Sequence, residues 1–177
     1  MPQQIAKNFI DNIERNLYFS IQEKTDSITF KLEKVLKAFS NSHLSVQHFA
    51  SSTGYGHGDL GRDIIDKIFA DVLEAEKAAV RLQLVSGTHA IASSLFGVLR
   101  PGDDLLSVTG RPYESLEEVI GLRGKGKGSL IEFGINYEEL SLNSDGNIDF
   151  LALEKALHTP RKLIFIQRSC GYTWRPS

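Results

Sequence analysis

The 177-residue chain is 41% hydrophobic and 24% charged, enough apolar material for one sizeable buried core. Its formal net charge of −2 gives no electrostatic reason to expect a nucleic-acid or membrane-surface partner. A single cysteine, Cys170, excludes an internal disulfide and fits a reducing, cytoplasmic setting, while the longest apolar runs are too short for a bilayer and the N-terminus lacks a secretory core.

Residues 3 to 40 predict two amphipathic helices. Ile5, Phe9, Ile10, Ile13 and Leu17 form one stripe at spacings of three and four, and Ile28, Leu32, Val35, Leu36 and Phe39 form a second. From "SNSHLSVQHF" to "TGYGHGDLGRD" the periodicity lapses, which marks a long arm of the kind that is usually functional or interfacial. Four glycines in eight residues of that arm serve backbone geometry, and Tyr55, His57 and Arg62 are its chemical side chains. Arg62 can clamp a phosphate or carboxylate, or be held locally by Asp59 and Asp63.

Beyond the arm the pattern becomes regular. A helix runs from about Gly61 to Ala75 with Asp59 as its N-cap. Then come a strand at "AAVRLQLV", a helix at "HAIASSLFGVLR", a strand at "DLLSVT" and a helix at "YESLEEVIGL". Extended stretches near "SLIEFG" and "EELSL" precede a helix at "IDFLALEKALH" and an apolar strand at "KLIFIQ". Apolar strands alternating with helices predict an α/β fold: a mostly parallel sheet flanked and covered by helices. Two regions follow, residues 1–58 as N-terminal helices and arm, and 59–177 as part of a larger α/β domain. The last strand runs into a loop with no closing helix, so the chain reads as an N-terminal fragment.

In open α/β sheets ligands sit beyond the carboxyl ends of the strands. Ser86, Gly87 and Thr88 lie at such an end, where a helix begins. Gly87 lets a ligand approach the backbone, Thr88 and His89 offer helical N–H groups, and the two hydroxyls add donors, a set that suits a phosphate. The same residues also fit a plain helix cap. Neither the P-loop nor the dinucleotide glycine pattern is present, and "GKGKG" joins a helix to a strand at the opposite edge of the sheet. At the end of the next strand Arg111, Pro112 and Tyr113 stand over the same crevice, with Tyr113 either stacking on a planar ligand or packing as a half-buried loop aromatic.

The blocks "TGYGHGDLGRD", "VRLQLVSGTHAI", "LRPGDDLLSVTGRPYESLEEVIG", "GSLIEFGINY" and "IQRSCGYTWRPS", in this order, resemble the fold type I pyridoxal-phosphate enzymes. More narrowly, they are similar to the methionine gamma-lyase-like family of aluminium resistance proteins, relatives of the cystathionine lyases. The resemblance implies a pyridoxal 5'-phosphate cofactor. It implies that Ser86, Gly87 and Thr88 cradle the cofactor phosphate, and that Tyr113 stacks on its ring. It further implies that Tyr55 and Arg62 reach a neighbouring subunit's phosphate in a homodimer or homotetramer, and that His89 stands beside the turn or packs on its helix. The implied activity is carbon–sulfur lysis of a sulfur-containing amino acid, with an aminotransferase, a decarboxylase or a non-catalytic dimerisation module as alternatives. The covalent lysine and the acid that pairs with the pyridinium are expected beyond Ser177, so no catalytic residue and no metal site is assigned within the chain. Lys125 and Lys127 sit in a glycine-rich loop, Lys155 on a helix, and Lys162 at the wrong end of its strand.

Overall fold

A computed structural model describes residues 2–55 and 58–168, which fall into two compact units, Met1–Leu82 and Gln83–Ser177. His57 and Cys170, both singled out above, lie outside the described residues.

The first unit opens with one continuous helix, α1, Pro2–Asn41, where the two stripes predicted two. The interval between the stripes contains neither glycine nor proline, and the helix formers Gln22, Glu23 and Lys24 lie at its centre. Local bonds carry the helix through it: Gln22 Nε2 donates to Asp26 Oδ1 at 2.8 Å, and Thr25 Oγ1 to the Ile21 carbonyl at 2.8 Å. A short 3-10 turn, Val46–Phe49, leads to α2, Leu60–Leu73. Asp59 caps α2 as predicted, accepting the Arg62 N–H at 3.1 Å, and Glu74 closes it in a left-handed conformation. α1 packs on α2, Ala38 of α1 and Ile68 and Ala70 of α2 are buried, and Lys34 reaches Glu74 at 2.6 Å.

The segment predicted as a strand at residues 78–85 is irregular. Its backbone is drawn elsewhere: the Val80 N–H donates to Asp66 Oδ1 at 2.7 Å, and Arg81 grips both oxygens of the same carboxylate at 2.6 and 2.8 Å. Apolar residues alone do not make a strand without a free ladder to join. Leu82 and Val85 are accordingly exposed, at 96% and 80%.

The second unit holds a three-stranded parallel sheet in the order β2-β1-β3: β1 is Asp104–Ser107, β2 Asn136–Glu139 and β3 Leu163–Phe165. Three helices accompany it: α3, Gly87–Val98; α4, Glu114–Ile120; and α5, Phe150–Ala156, capped by Asp149. The α/β parallel architecture is as predicted, with one correction. Among the described strands only β1 is covered on both faces, with Leu105 and Leu106 at 1% and 0% exposure. β2 is largely exposed, and Ile164 of β3 is 42% exposed. The core gathers Leu95, Leu99, Leu105, Ile120, Leu130 and Ile135, with Phe165 and Tyr137 packed against it.

The stretch "SLIEFG" is a turn and not extended, because its N–H groups fold back: Leu130 and Ile131 donate to Val119 and Ile120 at the end of α4, and Phe133 donates to Ser129. β2 therefore starts earlier than "EELSL" suggested, and Leu142 makes only an isolated antiparallel bridge to Ile148.

Candidate functional site

The carboxyl ends of β1 and β3 deliver the residues that matter. After Ser107 the chain runs through buried Val108 and Thr109 to Gly110, whose φ of 76° turns it toward Arg111, buried Pro112 and Tyr113. Ser107 fixes that turn by donating its Oγ to the Gly110 carbonyl at 2.7 Å. Beyond β3, the Gln167 N–H donates to Thr109 Oγ1 at 2.9 Å, and Gln167 Oε1 accepts the Tyr113 N–H at 3.3 Å. The half-buried Tyr113 is thereby tied to both strand ends.

Ser86 is the N-cap of α3, its Oγ accepting the His89 N–H at 3.1 Å. The first intrahelical bond is Ala90 N–H to Ser86 O at 3.1 Å, so the N–H groups of Gly87 and Thr88 stand ahead of the ladder. That changes the donor set expected from the sequence: His89 is spent on the cap, and Gly87 takes its place. Capping and ligand binding are compatible here, because Ser86 accepts through an oxygen lone pair and keeps its proton to donate. His89 itself is exposed.

Gly87 provides the test of what the turn can hold. A Cβ placed there would meet nothing within 4 Å, and its φ is not left-handed. Neither packing nor backbone strain within the chain calls for glycine at this position. Free N–H groups at a helix N-terminus, with the Ser86 hydroxyl beside them and no side chain on Gly87, form a donor set that suits a phosphate such as that of pyridoxal phosphate. The expected aromatic is close at hand: Thr88 Oγ1 lies 2.9 Å from the Tyr113 hydroxyl, and 2.8 Å from Ser115 Oγ. Ser115, Gln167 and Thr109 were not picked out by sequence reasoning. For Ser115 a signal existed, since it sits two residues after Tyr113 in the first turn of α4.

The flanking charges are paired. Arg111 Nε donates to Glu117 Oε1 at 2.7 Å, which raises the guanidinium's already high affinity for its proton. Burial, followed by the neighbouring Glu139 carboxylate, pushes the Tyr137 phenol above the ordinary tyrosine range, so it stays protonated near neutrality. Lys162 donates its N–H to the Asp104 carbonyl, at the amino end of the sheet and away from this site. Lys125, Lys127 and Lys155 are exposed.

Tyr55 and Arg62 belong to the first unit. Tyr55 is 87% exposed. Arg62 donates from Nη2 to the Gly54 carbonyl at 3.0 Å, and its Nε lies 3.7 Å from Asp59 Oδ2. Asp59 also accepts from Ser52 Oγ at 2.8 Å, and that bond, ahead of the Arg62 N–H, holds its carboxyl below the usual range. Among the described residues there is no cluster of histidine, cysteine, aspartate and glutamate able to hold a metal. Nor is any described helix long and apolar enough to cross a membrane.

The model of the family described as methionine gamma-lyase matches residues 6–177. The chain belongs to the methionine gamma-lyase family. Among the family's relatives, the uncharacterized protein YnbB of Bacillus subtilis is 48% identical over 159 residues, which is 89% of this chain and 38% of its own length. A Listeria innocua crystal structure, named for a candidate cystathionine beta-lyase involved in aluminium resistance, superposes with a TM-score of 0.88 at 47% identity. It takes in 100% of this chain and 42% of the Listeria protein. The carbon-sulfur lyase involved in aluminium resistance from Clostridium novyi NT gives 0.84 at 43% identity, over 91% of this chain and 38% of its own. The chain thus spans about two fifths of the length of these relatives.

Proposed function

We propose that this methionine gamma-lyase family chain is the amino-terminal part of a pyridoxal-phosphate-dependent carbon–sulfur lyase that acts on a sulfur-containing amino acid in the cytoplasm. The free Gly87 and Thr88 N–H groups at the start of α3, the Ser86 hydroxyl beside them and the Tyr113 phenol 2.9 Å from Thr88 Oγ1 support the cofactor reading. Cleavage of a carbon–sulfur bond, as opposed to another pyridoxal-phosphate reaction, is carried by the names of the structural relatives.

In this reading the Gly87 and Thr88 N–H groups and the Ser86 hydroxyl bind a phosphate, with the α3 dipole behind them. Tyr113 offers an aromatic face to a planar ring. Buried Pro112 and the Tyr113 N–H bond to Gln167 Oε1 hold the tyrosine in place. Pyridoxal phosphate bound there supplies the electron sink for the carbanion formed at the substrate's α-carbon. Tyr55 and Arg62 bind the cofactor phosphate of a neighbouring subunit in a homodimer or homotetramer. The covalent lysine lies outside these 177 residues.

The test is a titration of the full-length protein with pyridoxal phosphate, followed by visible absorbance and by thiol release from sulfur amino acids. Gly87→Val should weaken cofactor binding by about tenfold or more without lowering the melting temperature of the cofactor-free protein, because an added Cβ meets nothing within 4 Å. Undiminished binding by that variant would sink the assignment of the turn. A wild type that gains no visible band would sink the cofactor. A visible band without thiol release would point to an aminotransferase or decarboxylase.

A further inference from the structure

Thr88 stands between two other hydroxyls, 2.9 Å from the Tyr113 phenol oxygen and 2.8 Å from Ser115 Oγ. Three hydroxyls bring three protons. Whichever way the two bonds run, they use two of those protons and leave the third for an acceptor outside the cluster. The main chain of Tyr113 is tied as well, through Gln167 to Thr109. Tyr113 is therefore held at both ends: its phenol reaches α3, and its backbone reaches the end of β3. A tyrosine serving only as an apolar plate needs neither restraint.

We propose that Thr88 and Ser115 are positioning residues that set the orientation of the Tyr113 ring through its phenol oxygen, a role that rests on the cofactor reading above. Thr88 then serves two ends of one ligand. Its N–H faces the phosphate, and its side chain fixes the residue that faces the ring. Ser115 completes the pair from the first turn of α4, and by holding Thr88 Oγ1 it keeps that hydroxyl aligned with the phenol. The two duties of Thr88 are separable because one uses main chain and the other uses side chain. Thr88→Val keeps the β-branched shape and the N–H and removes only the hydroxyl.

The experiment uses the full-length protein, labelled with carbon-13 at the tyrosine ring carbon that bears oxygen. Without cofactor, the Tyr113 resonance is identified by its loss in Tyr113→Phe. It should shift in both Thr88→Val and Ser115→Ala, and return toward the wild-type position in Thr88→Ser. Calorimetry then compares two ligands. Thr88→Val should leave the Kd for inorganic phosphate within about twofold and weaken that for pyridoxal phosphate about fivefold, the effect of one net hydrogen bond. A Tyr113 resonance unmoved by both variants overturns the positioning role. Equal losses for the two ligands also overturn it, since Thr88 would then be binding phosphate with its hydroxyl. If the wild type binds neither ligand, the cofactor reading falls, and the tyrosine resonance still decides the hydroxyl contact by itself.

Discussion

Gly121 ends α4 with a φ of 104°, its N–H bonded to the Glu117 carbonyl at 2.9 Å. A Cβ added there would meet Ser129 Oγ at 2.5 Å, Ser129 Cβ at 3.0 Å and Ile131 Cβ at 3.3 Å. Ser129 has nowhere to go. It is 2% exposed, donates to the Gly126 carbonyl at 2.6 Å and accepts from the Glu132 N–H at 3.2 Å. Gly121→Ala therefore meets two costs: about 1–2 kcal/mol for a left-handed residue with a Cβ, and about 1–3 kcal/mol for crowding a packed interior. Gly124 supplies the control, since its φ is 78° but a Cβ there meets nothing within 4 Å. Gly124→Ala should carry only the backbone cost. Thermal unfolding of both variants reads the difference, at about 2–4 °C per kcal/mol for a chain of this size. Gly121→Ala should melt several degrees below Gly124→Ala. Equal shifts would refute the argument, because they would mean that the Ser129 turn relaxes freely around the new methyl.

Two more stability predictions complete the set. Leu106 is fully buried in the central strand, so Leu106→Ala should lower stability by about 2–5 kcal/mol in urea unfolding, and a loss below about 1 kcal/mol would mean the site collapses around the gap. The Arg81 guanidinium holds the Asp66 carboxyl below its ordinary range, first through their hydrogen bonds. A depressed carboxyl stabilises the fold above its unfolded value of about 4, and that contribution disappears as pH falls through the folded value. The urea-midpoint gap between wild type and Asp66→Asn should thus be constant near neutrality and narrow below about pH 4; a gap that widens with acid would reverse the assignment.

The readable parts of the sequence were those where local chemistry and tertiary demand agree. Asp59 and Ser86 read as caps followed by apolar periodicity, and each does begin a helix. The turn at Ser86 was legible for the same reason. Where a choice depended on distant partners, the pattern misled. The apolar residues around Val80 read as a strand, yet the decisive partner was the Asp66 carboxylate, fourteen residues back. The interval between the stripes of α1 read as a boundary because amphipathic stripes report what a helix packs against, and they say little about whether the backbone continues. Ser115 escaped notice because its meaning comes from Thr88, 27 positions away, and Gln167 because it reaches back 54 positions to Tyr113.

The strand order has a consequence for how the chain is made. β1 is central, but its neighbours arrive at different times: Leu105 pairs with Tyr137 and later with Leu163, loops of about 30 and 60 residues whose closure costs differ by only about half a kcal/mol. The ribosome imposes a larger asymmetry than that entropy does. At about 5–20 residues per second, the interval between the emergence of the two partners lasts on the order of seconds, ample time for two strands to find each other. One flank of β1 is thus zipped while the other still waits for translation, and the free edge of β1 is one that the chain's own next segment is first in line to fill.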